Sequence, residues 1–127
     1  MSDVRLARGL AKIREIHGEA GIEVLKSLEA ASPELARFTV EFAFGDVYRG
    51  GALTTQQQQI ATIAALVVLG HAQPQLRVHI RGALNVGCTR AQVMQVIVQM
   101  AVYGGFPAAL NAAFTAKSLF DELDRES

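Results

Sequence analysis

The stretch AQPQLRVHIRGALNVGCTRAQVMQVIVQMAVYGGFPAALN, residues 72–111, decides how this chain folds. Pro74 suits the first turn of a helix, where the amide hydrogen that proline lacks is not needed. Gly87 stands where a helix commonly ends with a residue in the left-handed conformation. The stretch therefore predicts a helix over about residues 74–86, and His79 lies inside this helix.

A second helix is expected directly after Gly87. Thr89 and Gln92 have the T-x-x-Q spacing of a capping box, which typically begins a helix. Val93 and Ile97 then repeat at the helical period on one face. The pattern predicts a helix over about residues 89–103, ended by the Gly-Gly-Phe-Pro corner.

The first third of the chain also has a helical pattern. Residues 3–29 carry leucine and isoleucine at helical spacing, with a break expected near Gly18 or Gly21. His17 lies beside that break among charged residues, so we expect it at the surface.

Ser32-Pro33-Glu34 is typical of a helix start, and this helix is expected to reach about Phe44. Its apolar residues should form the aromatic part of the core; they are Leu35, Phe38, Phe42 and Phe44.

Three more segments complete the predicted fold. A loop with two glycines is expected over residues 44–53. Its residues Asp46, Tyr48 and Arg49 could line a site, and a turn-stabilising role is the alternative for Asp46. Helices should follow over about 55–69 and 107–123. The helix over 55–69 is apolar on nearly every face beyond Gln59, which indicates burial against another subunit. We expect one all-α domain of about six helices over residues 1–127.

The composition argues against several classes of protein. Lysine plus arginine and aspartate plus glutamate balance at 12 each, so no basic surface points to nucleic acid. No apolar run reaches the roughly 20 residues of a membrane-spanning helix, and the N-terminus lacks the apolar run of a signal peptide. A cytoplasmic protein without membrane contact is expected. The core should be aliphatic, because the chain has no tryptophan and only 6% aromatic residues.

Four motifs resemble the carboxymuconolactone decarboxylase family. They are FGDVY (44–48), TIAAL (62–66), HIRGALNVG (79–87) and QMAVYGGFPAALNA (99–112), and the likeness spans about residues 34–116. The likeness is stronger to the lactone decarboxylases than to the alkylhydroperoxidase D branch. It implies the alkylhydroperoxidase D-like helical fold and a homo-oligomeric ring, a trimer or a hexamer.

The thiol chemistry of the peroxidase branch is absent at its expected positions. That branch uses C-x-x-C-x-x-x-H, and its histidine matches His79, which places the two cysteines on Ala72 and Gln75. Neither residue can form a thiolate, so a dithiol reaction is not expected there. Cys88 is the single cysteine, and we interpret it as a packed or incidental thiol.

The resemblance implies decarboxylation of 4-carboxymuconolactone to 3-oxoadipate enol-lactone, a step of protocatechuate breakdown, without cofactor or metal. His79 would be the acid that returns a proton to carbon, and Gln59 and Gln75 would donate hydrogen bonds to the oxyanion. The second carboxylate of the substrate needs a cation: Arg49 is the first choice, and Arg81 would serve better across a subunit interface.

Several alternatives stay open at this stage. His79 could be a satisfied core histidine, Arg81 an ion-pair residue, and Tyr103 and Phe106 packing residues instead of pocket walls. Many relatives have Arg-Glu where this chain has Gln58-Gln59, and an amide cannot accept and release a proton. The chain could therefore catalyse another enolate-type reaction, an isomerisation or cyclisation, or be a non-catalytic helical oligomer. A thiol peroxidase is the weakest alternative, and no metal site is expected, since His71 and His79 lack a recurrent ligand spacing.

Overall fold

The computed structural model describes residues 2–127, and this range is helical, with no strand. The all-α prediction with about six helices is therefore confirmed. The segments in chain order are α1 (Ser2–Ala31), α2 (Pro33–Phe38), a π-helical segment (Thr39–Val47), α3 (Thr55–Leu69), α4 (Gln73–Asn85), α5 (Arg90–Gly104) and α6 (Phe106–Glu126).

The chain divides into two compact units, Met1–Thr55 and Gln56–Ser127. The first unit holds α1, α2 and the π-helical segment, and the second holds α3 from Gln56 onward together with α4, α5 and α6. The expectation of one domain over residues 1–127 stays a prediction.

In the first unit, α1 is kinked at one residue. Gly18 has φ 66° and ψ −161°, a left-handed φ that suits glycine, and the predicted break is confirmed there. Ser32 caps α2, because its Oγ accepts a hydrogen bond from the Leu35 amide at 3.2 Å. The predicted helix start at Ser32-Pro33 is therefore correct as well.

The helix that begins at Pro33 does not end as predicted. Its hydrogen bonding widens to the π pattern at Thr39 and continues to Val47, so the loop expected from residue 44 begins later. Close contact with α1 accompanies this change: a Cβ on Gly45 would lie 2.8 Å from the Arg5 carbonyl oxygen. Arg5 and Arg8 also bind Asp46, with side-chain distances from 2.7 to 3.2 Å. Such tertiary contacts are invisible in a local sequence pattern.

The predicted aromatic core is wrong for most of its members. Phe44 is buried, but Leu35, Phe38 and Phe42 are exposed. Phe44 meets the His17 ring edge-on at 5.8 Å between ring centroids and stacks with Tyr48 at 5.2 Å. His17 is therefore half-buried instead of solvated, and this burial lowers its pKa.

The second unit has its own aliphatic core, as the composition predicts. Helices α3 to α6 bury mainly alanine, valine, isoleucine and leucine side chains against one another. On α5, Val93 and Ile97 face inward as expected. The fully buried members of this core, each at 0% exposure, are Ile63, Val67, Leu76, Ile80, Ala83, Ala112 and Ala116.

The turn between α4 and α5 follows the sequence prediction. Gly87 has φ 105°, and both hydrogen bonds of the capping box form between Thr89 and Gln92, at 2.9 and 3.0 Å. Helix α6 runs past the predicted end near residue 123 to Glu126. Ion pairs hold its last turns to α4 and α5; they join Arg77 with Glu122, Arg81 with Glu126, and Arg90 with Asp124.

Within residues 2–127, none of the helices combines the length and the apolar character that a membrane crossing requires.

Candidate functional site

The predicted site residues Gln59 and His79 lie against each other in the second unit. Gln59 is on α3 and His79 is on α4, and His79 Nδ1 lies 3.0 Å from Gln59 Oε1, a hydrogen-bond distance. Gln59 is fully buried at 0% exposure, whereas His79 is half-buried. The pair therefore has one member inside the core and one member at the edge of solvent.

The helical period explains why Gln59 is buried. Gln59, Ile63 and Val67 are spaced four residues apart, and they are the buried residues of α3. Gln59 thus continues an apolar stripe with a polar side chain. Burying a carboxamide is unfavourable unless hydrogen bonds compensate for the lost water, so the position calls for polar partners.

One half of the Gln59 carboxamide is left without such a partner. Its Nε2 atom is buried and has no hydrogen-bond acceptor among residues 2–127. An unsatisfied buried donor typically costs about 1–3 kcal/mol. The amide nitrogen beside His79 therefore retains an unused hydrogen-bond donor.

The other α4 residues of the predicted site are arranged differently. Gln75 lies one turn before His79 and is exposed. Arg81 is exposed and pairs with Glu126 of α6, at 3.5 Å between Nη2 and Oε2. The ion-pair interpretation of Arg81 thus has structural support, while a contact between Arg81 and a substrate stays a prediction.

Three further predicted site residues are exposed. Tyr103, at the end of α5, is 76% exposed, and Phe106, at the start of α6, is 70% exposed. Arg49 follows the π-helical segment in the first unit and is exposed. Their predicted roles in substrate binding stay predictions.

Cys88 is buried in the core of the second unit, as expected for a packed thiol. Its Sγ lies 3.8 Å from the Gln56 carbonyl oxygen. Burial raises the pKa of this thiol and so disfavours the reactive thiolate. Among residues 2–127, no group of three or more histidine, cysteine, aspartate or glutamate side chains is arranged to hold a metal ion.

A cavity of about 350 Å³ lies in the first unit and is lined by Arg5, Arg37, Phe38 and Glu41. The sequence did not point to these four residues as a site, and none of the predicted site residues lines the cavity.

Comparison with known proteins identifies the family. The model of the carboxymuconolactone decarboxylase family matches residues 33–118, about two thirds of the chain. The chain belongs to the carboxymuconolactone decarboxylase family.

Proteins similar to this chain include two decarboxylases. The 4-carboxymuconolactone decarboxylase of Acinetobacter baylyi is 30% identical over 120 residues, which are 94% of this chain and 89% of that protein. The nitrosuccinic acid decarboxylase of Metarhizium robertsii is 31% identical over 86 residues, or 67% of this chain and 59% of that protein. An uncharacterised 15.0 kDa protein of Paracoccus denitrificans is 33% identical over 103 residues, or 80% of this chain and 77% of that protein.

Proposed function

We propose that this chain is a carboxy-lyase that converts 4-carboxymuconolactone to 3-oxoadipate enol-lactone in aromatic catabolism, without a cofactor. Family membership and the match to the Acinetobacter enzyme over 94% of the chain support the reaction class. The observation that carries the proposal is the His79–Gln59 pair. It places a titratable ring beside a buried amide that lacks an acceptor.

The substrate itself can accept the electrons of the reaction. The carbon–carbon bond to the leaving carboxylate breaks, CO2 departs, and the electron pair delocalises through the ring C=C onto the lactone carbonyl oxygen as a dienolate. A proton must then be added to carbon to complete the product. The protein has to orient the ring, stabilise the oxyanion and supply that proton.

His79 is proposed as the proton donor, because imidazole titrates near neutral pH. A positioned acid of this kind typically contributes about 10²–10⁴-fold to the rate. The Nε2–H2 group of Gln59, and the amide of Gln75 one turn before His79, are proposed to donate hydrogen bonds to the oxyanion. By analogy with acyl-transfer sites, each such donor is worth roughly 3–4 kcal/mol.

The second substrate carboxylate is assigned to arginine. Arg49 is exposed and can offer a bidentate contact, so it stays the first choice. Arg81 would have to exchange its Glu126 partner for the substrate. Tyr103 and Phe106 are proposed to line the site where subunits meet, because both rings are mostly exposed.

We also propose that a second copy of the chain covers the exposed apolar surface of α6. Phe106, Leu110 and Phe114 repeat every four residues on one face of that helix, and each is more than half exposed. A contiguous apolar stripe of this kind is unusual on a monomer in water. Helical rings of three or six subunits would bury it.

A second candidate is another reaction through a carbanion that the substrate stabilises itself. The Metarhizium relative favours it, since a nitro group next to a carboxylate can accept the electron pair left by CO2, as a lactone carbonyl does. Isomerisation or cyclisation through an enolate belongs to the same chemistry. A non-catalytic helical oligomer would retain the α6 surface but none of these activities.

The decisive experiment compares three proteins with purified substrate and no additives. The full chain and His71→Ala, which alters the exposed histidine in the α3–α4 turn, should release CO2 at equal rates. His79→Ala should be slower by about 10²–10⁴-fold. Full activity of His79→Ala would remove the assignment of His79, and no CO2 from the unaltered chain would refute the reaction. Nitrosuccinate tested in parallel separates the two candidates.

A further inference from the structure

The orientation of the Gln59 carboxamide determines which ring nitrogen of His79 carries hydrogen. Its oxygen, Oε1, is the atom 3.0 Å from His79 Nδ1. An amide oxygen can only accept a hydrogen bond, so Nδ1 must be the donor and must carry the hydrogen. The neutral imidazole then has its lone pair on Nε2.

We infer that Gln59 positions His79 in the Nδ1–H tautomer, so that Nε2 is the nitrogen that exchanges a proton with the substrate. This inference rests on the proposed function. The bond from Nδ1–H to Gln59 is compatible with both charge states of the ring. The imidazolium carries its second hydrogen on Nε2, and after that proton moves to the dienolate carbon, the ring is left as the neutral Nδ1–H form.

The opposite orientation of the carboxamide suits an anionic substrate less well. If the amide were turned over, Nε2 of Gln59 would donate to the ring, and the buried Oε1 would be left to face the substrate. An oxygen lone pair opposes a dienolate oxygen or a carboxylate, whereas an N–H2 group donates to it. The buried donor without an acceptor among residues 2–127 is therefore on the side of Gln59 that fits an oxyanion.

A glutamine at position 59 can do what a glutamate could not. An ionised glutamate accepts hydrogen bonds through both oxygens, so it could hold Nδ1–H but would repel the substrate oxyanion. A glutamine performs both tasks at once, accepting from His79 through Oε1 and donating through Nε2. Gln59 is thereby a positioning residue for His79 and a contact that favours anionic oxygen.

The tautomer can be measured without substrate, on the full chain labelled with ¹⁵N-histidine. Long-range ¹H–¹⁵N spectra of neutral His79, assigned by comparison with His79→Ala, should show hydrogen on Nδ1. Gln59→Met, which keeps a side chain of similar length but no amide, should return the ring to the Nε2–H form that predominates in water. Gln57→Met, an exposed position on the same helix, should leave the tautomer unchanged. An Nε2–H tautomer in the unaltered chain would overturn the inference even if the Met variant failed to fold.

Kinetics then test the role of the tautomer. Gln59→Glu should keep the Nδ1–H tautomer but raise KM by about tenfold or more, because a carboxylate faces the substrate oxyanion. Gln59→Met should lower kcat by about 10²-fold through loss of the oriented ring and of one donor. Gln57→Glu, with the same change of charge at an exposed position, should alter neither constant. An unchanged KM in Gln59→Glu would contradict the contact with the oxyanion.

The proposed decarboxylase function and the positioning role of Gln59 can be refuted independently of each other. An Nδ1–H tautomer without any decarboxylation would leave Gln59 as the positioning residue of an unidentified reaction. Decarboxylation by a chain whose His79 has hydrogen on Nε2 would preserve the function and refute the positioning role.

Discussion

Gly9 of α1 lies directly against the backbone of Val40 in the π-helical segment. A Cβ atom on Gly9 would overlap the Val40 carbonyl oxygen, and it would lie 2.8 Å from both the Val40 carbonyl carbon and Cγ1. The hydrogen of glycine in place of a side chain is what permits two helical backbones to approach so closely. Val40 is itself buried at this contact, with 2% exposure.

Replacing Gly9 with alanine should therefore destabilise the protein, although helix propensity alone favours alanine over glycine by about 1 kcal/mol. Relieving the overlap requires the backbone of α1 or of the π-helical segment to move, and overpacking of this kind typically costs about 1–3 kcal/mol. Urea unfolding followed by circular dichroism gives the difference. Ala11→Ser, at an exposed position on the same helix, is the control and should change stability little. A Gly9→Ala variant more stable than the unaltered chain would contradict the close contact.

A second prediction concerns the pH dependence of the first unit. The pKa of Asp46 is lowered mainly by its hydrogen bonds from Arg5 and further by Arg8. A carboxylate whose pKa is lower in the folded state stabilises the fold above its unfolded pKa, about 3.9, and loses that contribution as the pH falls through the folded value. Asp46→Asn should therefore be less stable than the unaltered chain at pH 7, and this difference should shrink below about pH 4.

Unfolding temperatures across the acid range test this prediction. Asp3→Asn, at an exposed position of α1, removes the same charge and is the control. A difference between Asp46→Asn and the unaltered chain that stays constant from neutral to acid pH would show that the arginine contacts of Asp46 contribute nothing.

The helices that sequence predicted well are those whose ends carry local signals. Ser32-Pro33, Gly87 and Thr89 specify caps through side chains and φ angles within a few residues. The π-helical segment coincides with contacts of Gly45 and Asp46 with α1, about forty residues earlier, and no local pattern predicts such contacts. A run of apolar residues likewise does not say which of them meet the core, and Phe38 and Phe42 are exposed where a core was expected.

The capping box of α5 leads to a third prediction, which compares two substitutions of Thr89. Thr89→Ala removes the acceptor for the Gln92 amide and should cost about 0.5–2 kcal/mol of stability, since one N-terminal donor of α5 loses its partner. Thr89→Ser keeps the hydroxyl oxygen and should lose much less. Equal losses in the two variants, measured by urea unfolding, would mean that the threonine methyl group matters and the cap does not.

The candidate site could be predicted from the sequence only in part. The sequence predicted Gln59 and His79 as members of one site, but it did not predict which side of α3 is buried, since that helix is apolar on nearly every face beyond Gln59. The direction of the hydrogen bond between Gln59 and His79 could not be predicted from the sequence either, because it depends on how α3 and α4 pack. From the sequence, Gln59 was expected only to donate hydrogen bonds, whereas its Oε1 also accepts one from His79 Nδ1.

Cys88 gives a fourth prediction, which addresses the thiol alternative directly. Because burial raises its pKa, Cys88 should react with a thiol reagent far more slowly in the native protein than after unfolding in urea. Cys88→Ala should keep full decarboxylase activity, since the thiol lies in packing. Loss of activity in a folded Cys88→Ala variant would reopen thiol chemistry.

The exposed stripe of α6 leads to the last prediction. Phe114 is 70% exposed and lies one turn beyond Leu110, which is 54% exposed. If a second copy covers this face, a charge on it must be buried in the assembly without a partner, and that cost opposes association strongly. Phe114→Asp should therefore shift the protein toward the 13.6 kDa monomer in light scattering coupled to size exclusion. Asn111→Asp introduces the same charge at another exposed position of α6 and should leave the oligomer intact. An unaltered mass for Phe114→Asp would show that the subunits meet elsewhere. A monomeric unaltered chain would instead leave the apolar face of α6 for a different partner.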